Sequence, residues 1–133
     1  MIKKSNELPI MFFVDQKSFE KWLEDNHVTS PGIWLQIAKK NSGIVSVSYA
    51  EALESALCYG WVDSQKEKFD EKMYLQRFTP RRAKSIWSKV NKEKAEGLIK
   101  NGRMKPAGFK AIEAAIKSGY WENAYGSQSK FIP

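Results

Sequence analysis

Apolar positions along this chain repeat with two different spacings, and the changes between them mark its elements. Residues 9–14 (PIMFFV) form a short apolar run that predicts an extended segment. Asp15 follows as a helix cap, and Phe19, Trp22 and Leu23 share one helical face behind it. Asn26 and His27 end that pattern, and Ser30-Pro31-Gly32 marks a loop. In GIWLQIA, Ile33, Leu35 and Ile37 alternate with Trp34 and Gln36, which predicts a strand. Past the turn-like KKNSG at 39–43, a second alternation sets Val45, Val47 and Tyr49 against Ser46 and Ser48, and predicts another short strand.

Ser48 precedes Glu51 by three residues, the spacing of a capping box, so a helix is expected just beyond. Ala50, Leu53 and Leu57 form its expected buried stripe, and Gly60 stops it. WVDSQKEKFD reads as strand or loop, and MYLQRF as an alternating strand with Arg77 on the Met73/Leu75 side, where it needs an edge position or a partner. Thr79-Pro80 is the expected cap and first residue of a following helix. Ala83, Ile86, Trp87, Val90, Ala95, Leu98 and Ile99 then recur at helical spacing, with Asn91 available to cap a fresh start. Pro106 opens a last helix carrying Phe109, Ile112, Ala115 and Ile116, Gly119 ends it, and GSQSKFIP reads as a frayed tail. These elements predict an α+β fold, a small mixed sheet packed by helices with a helical C-terminal half. No repeat or linker divides residues 1–133, so one domain is expected.

A hydrophobic fraction of 42% with 28% charged residues fits a folded chain and not a disordered one. One cysteine, Cys58, cannot close an internal disulfide, which fits a reducing compartment. The start MIKKSNELP has positive charge but no apolar segment behind it, and no run approaches the roughly 20 residues of a membrane span. A soluble, cytoplasmic protein is expected. The net charge of +7 is concentrated: residues 66–105 hold 13 Lys/Arg against 5 Asp/Glu, and all four arginines fall there. Such a window can attract a small anion, an acidic protein or nucleic acid, or it can simply solvate a helical surface.

His27 and Cys58 lack the neighbours of a metal or redox site, so no metal or cofactor is expected; His27 suits a helix end and Cys58 a buried position. There is no phosphate-binding glycine loop and no nucleophile elbow, and His27 is the sole histidine a serine could use. The most informative stretch is CYGWVDS, residues 58–64. If 61–63 are extended, Trp61 and Asp63 project to one face and can flank a concavity. Asp63 can instead lock an arginine of RFTPRR in a bidentate pair, which is the preferred reading, ahead of contact with a ligand and, last, a role as a base. Arg81 and Arg82, near the expected helix start, call for an acidic partner or ligand. Trp87 fits the core stripe, while Asn91 and Arg103 can border the same region.

The ordered segments FEKWLEDNH, GIWLQIAKK, YAEALESALCYGWVDS, YLQRFTPRRAKSIWSKVN and GRMKPAGFKAIEAAIKSGYW resemble the YdeI/OmpD-associated family, often labelled bacteriocin-protection proteins, over residues 12–125. The resemblance implies a small α+β protein with a helical C-terminal half and a role in stress response or bacteriocin protection. It transfers no catalytic set; Trp61, Asp63, Arg77, Pro80, Arg81, Trp87, Asn91, Arg103 and Met104 carry over as candidate fold or site residues. Taken together, the expected function is non-catalytic binding of a small anion or acidic partner. The alternatives are nucleic-acid binding, or an enzyme that uses Asp63.

Overall fold

The computed structural model describes residues 8–82 and 84–124. Its elements are β1 (Ile10–Met11), α1 (Gln16–Asn26), β2 (Ile33–Ala38), α2 (Tyr49–Cys58), β3 (Trp61–Lys68), β4 (Met73–Pro80), α3 (Lys89–Lys100) and α4 (Pro106–Ser118). The four strands form a mixed sheet of order β1-β2-β4-β3, and two helices follow it, so the fold is α+β with a helical C-terminal half. No helix among the described residues is long and apolar enough to cross a membrane. The chain divides into two compact units, Met1–Ala56 with Val62–Pro80, and Leu57–Trp61 with Arg81–Pro133.

In the first unit β1 runs parallel to β2, pairing Ile10 with Trp34. β2 runs antiparallel to β4, from Ile33↔Phe78 to Ala38↔Met73. Directly opposed residues point to one side of a sheet. Ile33, Leu35 and Ile37 therefore share a face with Phe78, Gln76 and Tyr74, while Trp34, Gln36 and Ala38 share the other with Arg77, Leu75 and Met73. Helix α1 covers the first of these faces: Phe19 is fully buried, its ring 6.0 Å from Phe78 and 5.3 Å from Phe13. Asp15 caps α1 as expected, its Oδ1 accepting from the Ser18 amide at 2.9 Å and the Ser18 hydroxyl at 2.7 Å. Those bonds favour the ionised carboxylate and hold Asp15 below the ordinary aspartate range.

The capping box at the start of α2 forms in both directions, Glu51 N–H to Ser48 Oγ and Ser48 N–H to Glu51 Oε1, each 3.1 Å. A polar seam ties α1 to α2. Ser55 is fully buried, donates to Glu20 Oε2 at 2.7 Å and accepts from Gln16 Nε2 at 3.2 Å. The buried face of α2 includes Ala52, Leu53 and Ala56, whereas Ala50, expected inside, is exposed.

The strand expected over 44–49 does not form. Ser46 Oγ accepts from the Ala38 amide and donates to Val47 O, so a side chain takes the place of a ladder contact; only Val47 N–H reaches a neighbouring backbone, at Phe13 O. Thr79-Pro80 likewise does not open a helix. Both residues finish β4, and the next helix begins nine residues after Pro80, at Lys89. A proline at a strand end costs no interior ladder bond, which reconciles Pro80 with this position.

In the second unit Ser88, not Asn91, caps α3: Ser88 Oγ accepts from the Asn91 amide at 3.0 Å. Pro106 lies in the first turn of α4, and Gly119 closes that helix at φ 87°, a left-handed conformation glycine adopts without strain. Ala95, Leu98, Ile112 and Ala115 are buried as their spacing predicts. Ile86, Val90, Ile99, Phe109 and Ile116, expected on the same stripes, are exposed instead. Ile86 precedes α3 and is not helical; the other four repeat at helical spacing but mark a wider face than these helices bury. Ala83 and the GSQSKFIP tail lie outside the described residues.

Candidate functional site

The residues singled out from the sequence fall in both units. Asp63 and Arg77 belong to the first; Trp61, Arg81, Arg82, Trp87, Asn91 and Arg103 belong to the second. Asp63 is half-buried, and its Oδ2 accepts from the Tyr49 hydroxyl at 2.6 Å. Burial first, then the Asp63 hydrogen bond and charge, push the Tyr49 phenol far above its ordinary value. Tyr74 on β4 is raised too, by burial, and the Lys66 ammonium lies 4.8 Å over its ring. Asp63 thus serves a tyrosine; among the described residues of this unit it forms no ion pair with Arg77.

In the second unit Trp61 and Trp87 are fully buried. The Arg81 guanidinium stacks 3.7 Å from the Trp87 ring centre and donates to Ser85 Oγ at 3.0 Å and Ile86 O at 3.3 Å. Trp87 meets Trp121 edge to face at 5.1 Å, and Lys92 lies 5.2 Å over Trp121 while donating to its carbonyl at 3.0 Å. This ladder of cation, two indoles and cation explains Arg81 without a helix start. Arg82 is exposed, Asn91 offers its amide to the α3 cap, and the Arg103 amide closes the end of α3 on Leu98 O at 2.9 Å.

An open depression of about 380 Å³ is lined by Lys89, Lys92, Glu93, Glu96, Glu122 and Ala124. Two lysines and three glutamates line it, an acidic excess of one that does not suit an anion. Among the described residues no group of three His, Cys, Asp or Glu side chains is placed to hold a metal ion.

The arrangement that asks for a ligand lies elsewhere in the first unit, on the two central strands. Trp34 is 2% exposed, and its indole Nε1–H is buried without an acceptor. A buried donor left unpaired costs about 1–3 kcal/mol. Directly across from it on β4 stands Arg77. The Trp34 amide donates toward β1, to Pro9 O at 2.8 Å, so Trp34 and Arg77 form a non-hydrogen-bonded antiparallel pair, the kind in which opposed side chains stand closest. Arg77 is half-buried, and no described residue accepts from its guanidinium. The sequence required for Arg77 an edge position or a partner. β4 is an interior strand, which removes the first possibility and leaves the second open.

Two donor side chains without described acceptors thus stand on one face of the sheet, a buried indole N–H and, on the residue directly opposite, a guanidinium fork with one positive charge. Groups of this kind bind oxygen lone pairs and negative charge, and they provide neither a base nor a nucleophile. Alternation sets Arg77 on the Met73/Leu75 side, as the register does, and it puts Trp34 opposite the expected core face without showing which β4 residue it meets, so Trp34 was not singled out.

No curated protein and no solved structure matches this chain. A family model does match, over residues 11–111, which include Trp34, Arg77 and the whole four-stranded sheet except Ile10. By that match the chain belongs to the family described as Domain of unknown function (DUF8412).

Proposed function

We propose that this protein binds a small anion, without catalysis, at the Trp34–Arg77 pair. The observation that carries the reading is the buried Trp34 indole N–H, which has no acceptor and faces the same side of the sheet as the Arg77 guanidinium. An incoming carboxylate or phosphate oxygen would accept from the indole, and its charge would be neutralised by Arg77 in a charge-assisted bond. The stress-response or bacteriocin-protection role implied by the resemblance to YdeI/OmpD-associated proteins is compatible with such an anion-responsive module, and we propose it at that level only.

The test follows the Trp34 indole resonance by ¹H–¹⁵N NMR, assigned with Trp34→Phe, while the full chain is titrated in dilute buffer with acetate, phosphate and sulfate. The expected result is a saturable shift with at least one of these, abolished in Arg77→Gln while the rest of the spectrum stays folded. If the Trp34 resonance moves with none of them, the anion reading is wrong.

A further inference from the structure

The same face of the sheet continues past the donor pair onto β1, and what it presents there is apolar. Ile10 is the direct partner of Trp34 in the parallel β1–β2 pairing, so the two side chains lie on one side. Along residues 10–14 exposure alternates strictly: Ile10, Phe12 and Val14 are 51%, 45% and 49% exposed, while Met11 and Phe13 between them are half-buried. Phe13 turns to the opposite side, against Phe19 at 5.3 Å and Trp22 at 6.2 Å. Ile10 beside Trp34 on the edge strand, followed by Phe12 and Val14 in the segment just past it, therefore makes a run of three exposed apolar residues on alternate positions. Scattered exposed apolar residues are ordinary, but such a stripe beside a buried, acceptor-less donor is not.

We infer that the anion is an amphipathic monocarboxylate, its head held at Trp34 and Arg77 and its apolar body lying along Ile10, Phe12 and Val14. This rests on the anion-binding reading above and narrows it. One guanidinium neutralises one negative charge, which matches a carboxylate better than a dianionic phosphate. A carboxylate has two oxygens, and the planar Arg77 fork with the indole N–H supplies donors for both.

The experiment compares acetate, octanoate and inorganic phosphate on the full chain, reading the Trp34 indole resonance, with Phe12→Ser and Val14→Ser as separate variants. Both positions are exposed, so either substitution leaves the fold intact. At about 0.8 kcal/mol for each buried methylene, contact of two or more methylenes with the stripe makes octanoate at least about tenfold tighter than acetate. Each variant is expected to reduce that advantage severalfold and leave acetate unchanged. Acetate or phosphate binding with no gain for octanoate would overturn this inference and leave the anion reading standing. Octanoate binding that survives Arg77→Gln, or that leaves the Trp34 resonance unmoved, would overturn it as well, since the chain would then be held by apolar contact alone. Failure of all three probes would remove both readings together.

Discussion

Tyr49, the first residue of α2, donates its phenolic proton to Asp63 on β3 across 2.6 Å. The bond ties the start of the helix to a strand of the same unit, and it exists only while Tyr49 is protonated. Burial and the adjacent carboxylate keep that proton on well above the ordinary tyrosine value of 10.0. An unfolded chain loses the same proton near that ordinary value. Between the two values the folded state therefore binds more protons, and stability falls as pH rises. The contribution of the pair is complete below about pH 10 and disappears as pH climbs through the raised folded value. Urea midpoints measured from about pH 9 to 11 are expected to fall more steeply in the unmodified chain than in Tyr49→Phe. Tyr74, also raised by burial, leaves the variant a smaller residual slope. Equal slopes in the two proteins would show that the Tyr49–Asp63 bond does not persist in solution.

Gly108 in α4 approaches the chain at the end of α2 so closely that no side chain fits. A Cβ at this position would lie 2.5 Å from Cys58 O and 2.9 Å from Leu57 O, and would also collide with Met104 Sδ. The sulfur can move, but the two carbonyls belong to a backbone that Lys105 N–H already holds through Cys58 O at 3.1 Å. Alanine normally gains up to about 1 kcal/mol over glycine inside a helix. Overpacking against fixed backbone outweighs that gain, and Gly108→Ala is expected to lose about 2 kcal/mol or more, read as a lower denaturant midpoint. Gly97, in α3 with nothing within 4 Å of its virtual Cβ, supplies the control. Gly97→Ala is expected to be neutral or stabilising by up to about 1 kcal/mol. A Gly108→Ala protein as stable as its parent would mean the approach is looser than described.

Local chemistry in the sequence was enough to place most elements, and pairing was what it could not supply. Asp15, the Ser48–Glu51 box, Pro106 and Gly119 each satisfy or forgo backbone bonds within a few residues of themselves, so their roles follow from spacing alone. Thr79-Pro80 failed as a helix start because β4 runs through both residues, past Phe78 where it meets the first residue of β2, a strand length that the dipeptide itself does not show. Val45 and Val47 alternate like a strand, but strand formation needs a neighbour, and the Ser46 hydroxyl occupies the Ala38 amide that a neighbour would use. The candidate site divides in the same way. Arg77 was legible as a charge on an apolar side of its strand, while Trp34 became informative only once the register set it opposite Arg77. Arg81 was legible as needing compensation, and an indole six residues along the chain, which the charge pattern did not point to, supplies part of it.

That Arg81–Trp87 contact gives the last prediction its discriminating power. The guanidinium lies flat enough to sit 3.7 Å from the ring centre, and the same group donates from one nitrogen to both Ser85 Oγ and Ile86 O. Lysine keeps the charge and most of the stem but has no plane to stack and no fork to bridge two acceptors in fixed geometry. Stacking of a partly desolvated cation contributes about 1–2 kcal/mol, and each hydrogen bond adds about 1 kcal/mol. Arg81→Lys is therefore expected to lower stability by about 1–3 kcal/mol and to raise amide exchange over residues 85–88, ahead of the Ser88 cap. Arg81→Met, which retains apolar contact and abolishes charge, is expected to cost at least as much. If lysine substitutes without loss, the contact is a matter of charge alone, and the planar stacking has no energetic role.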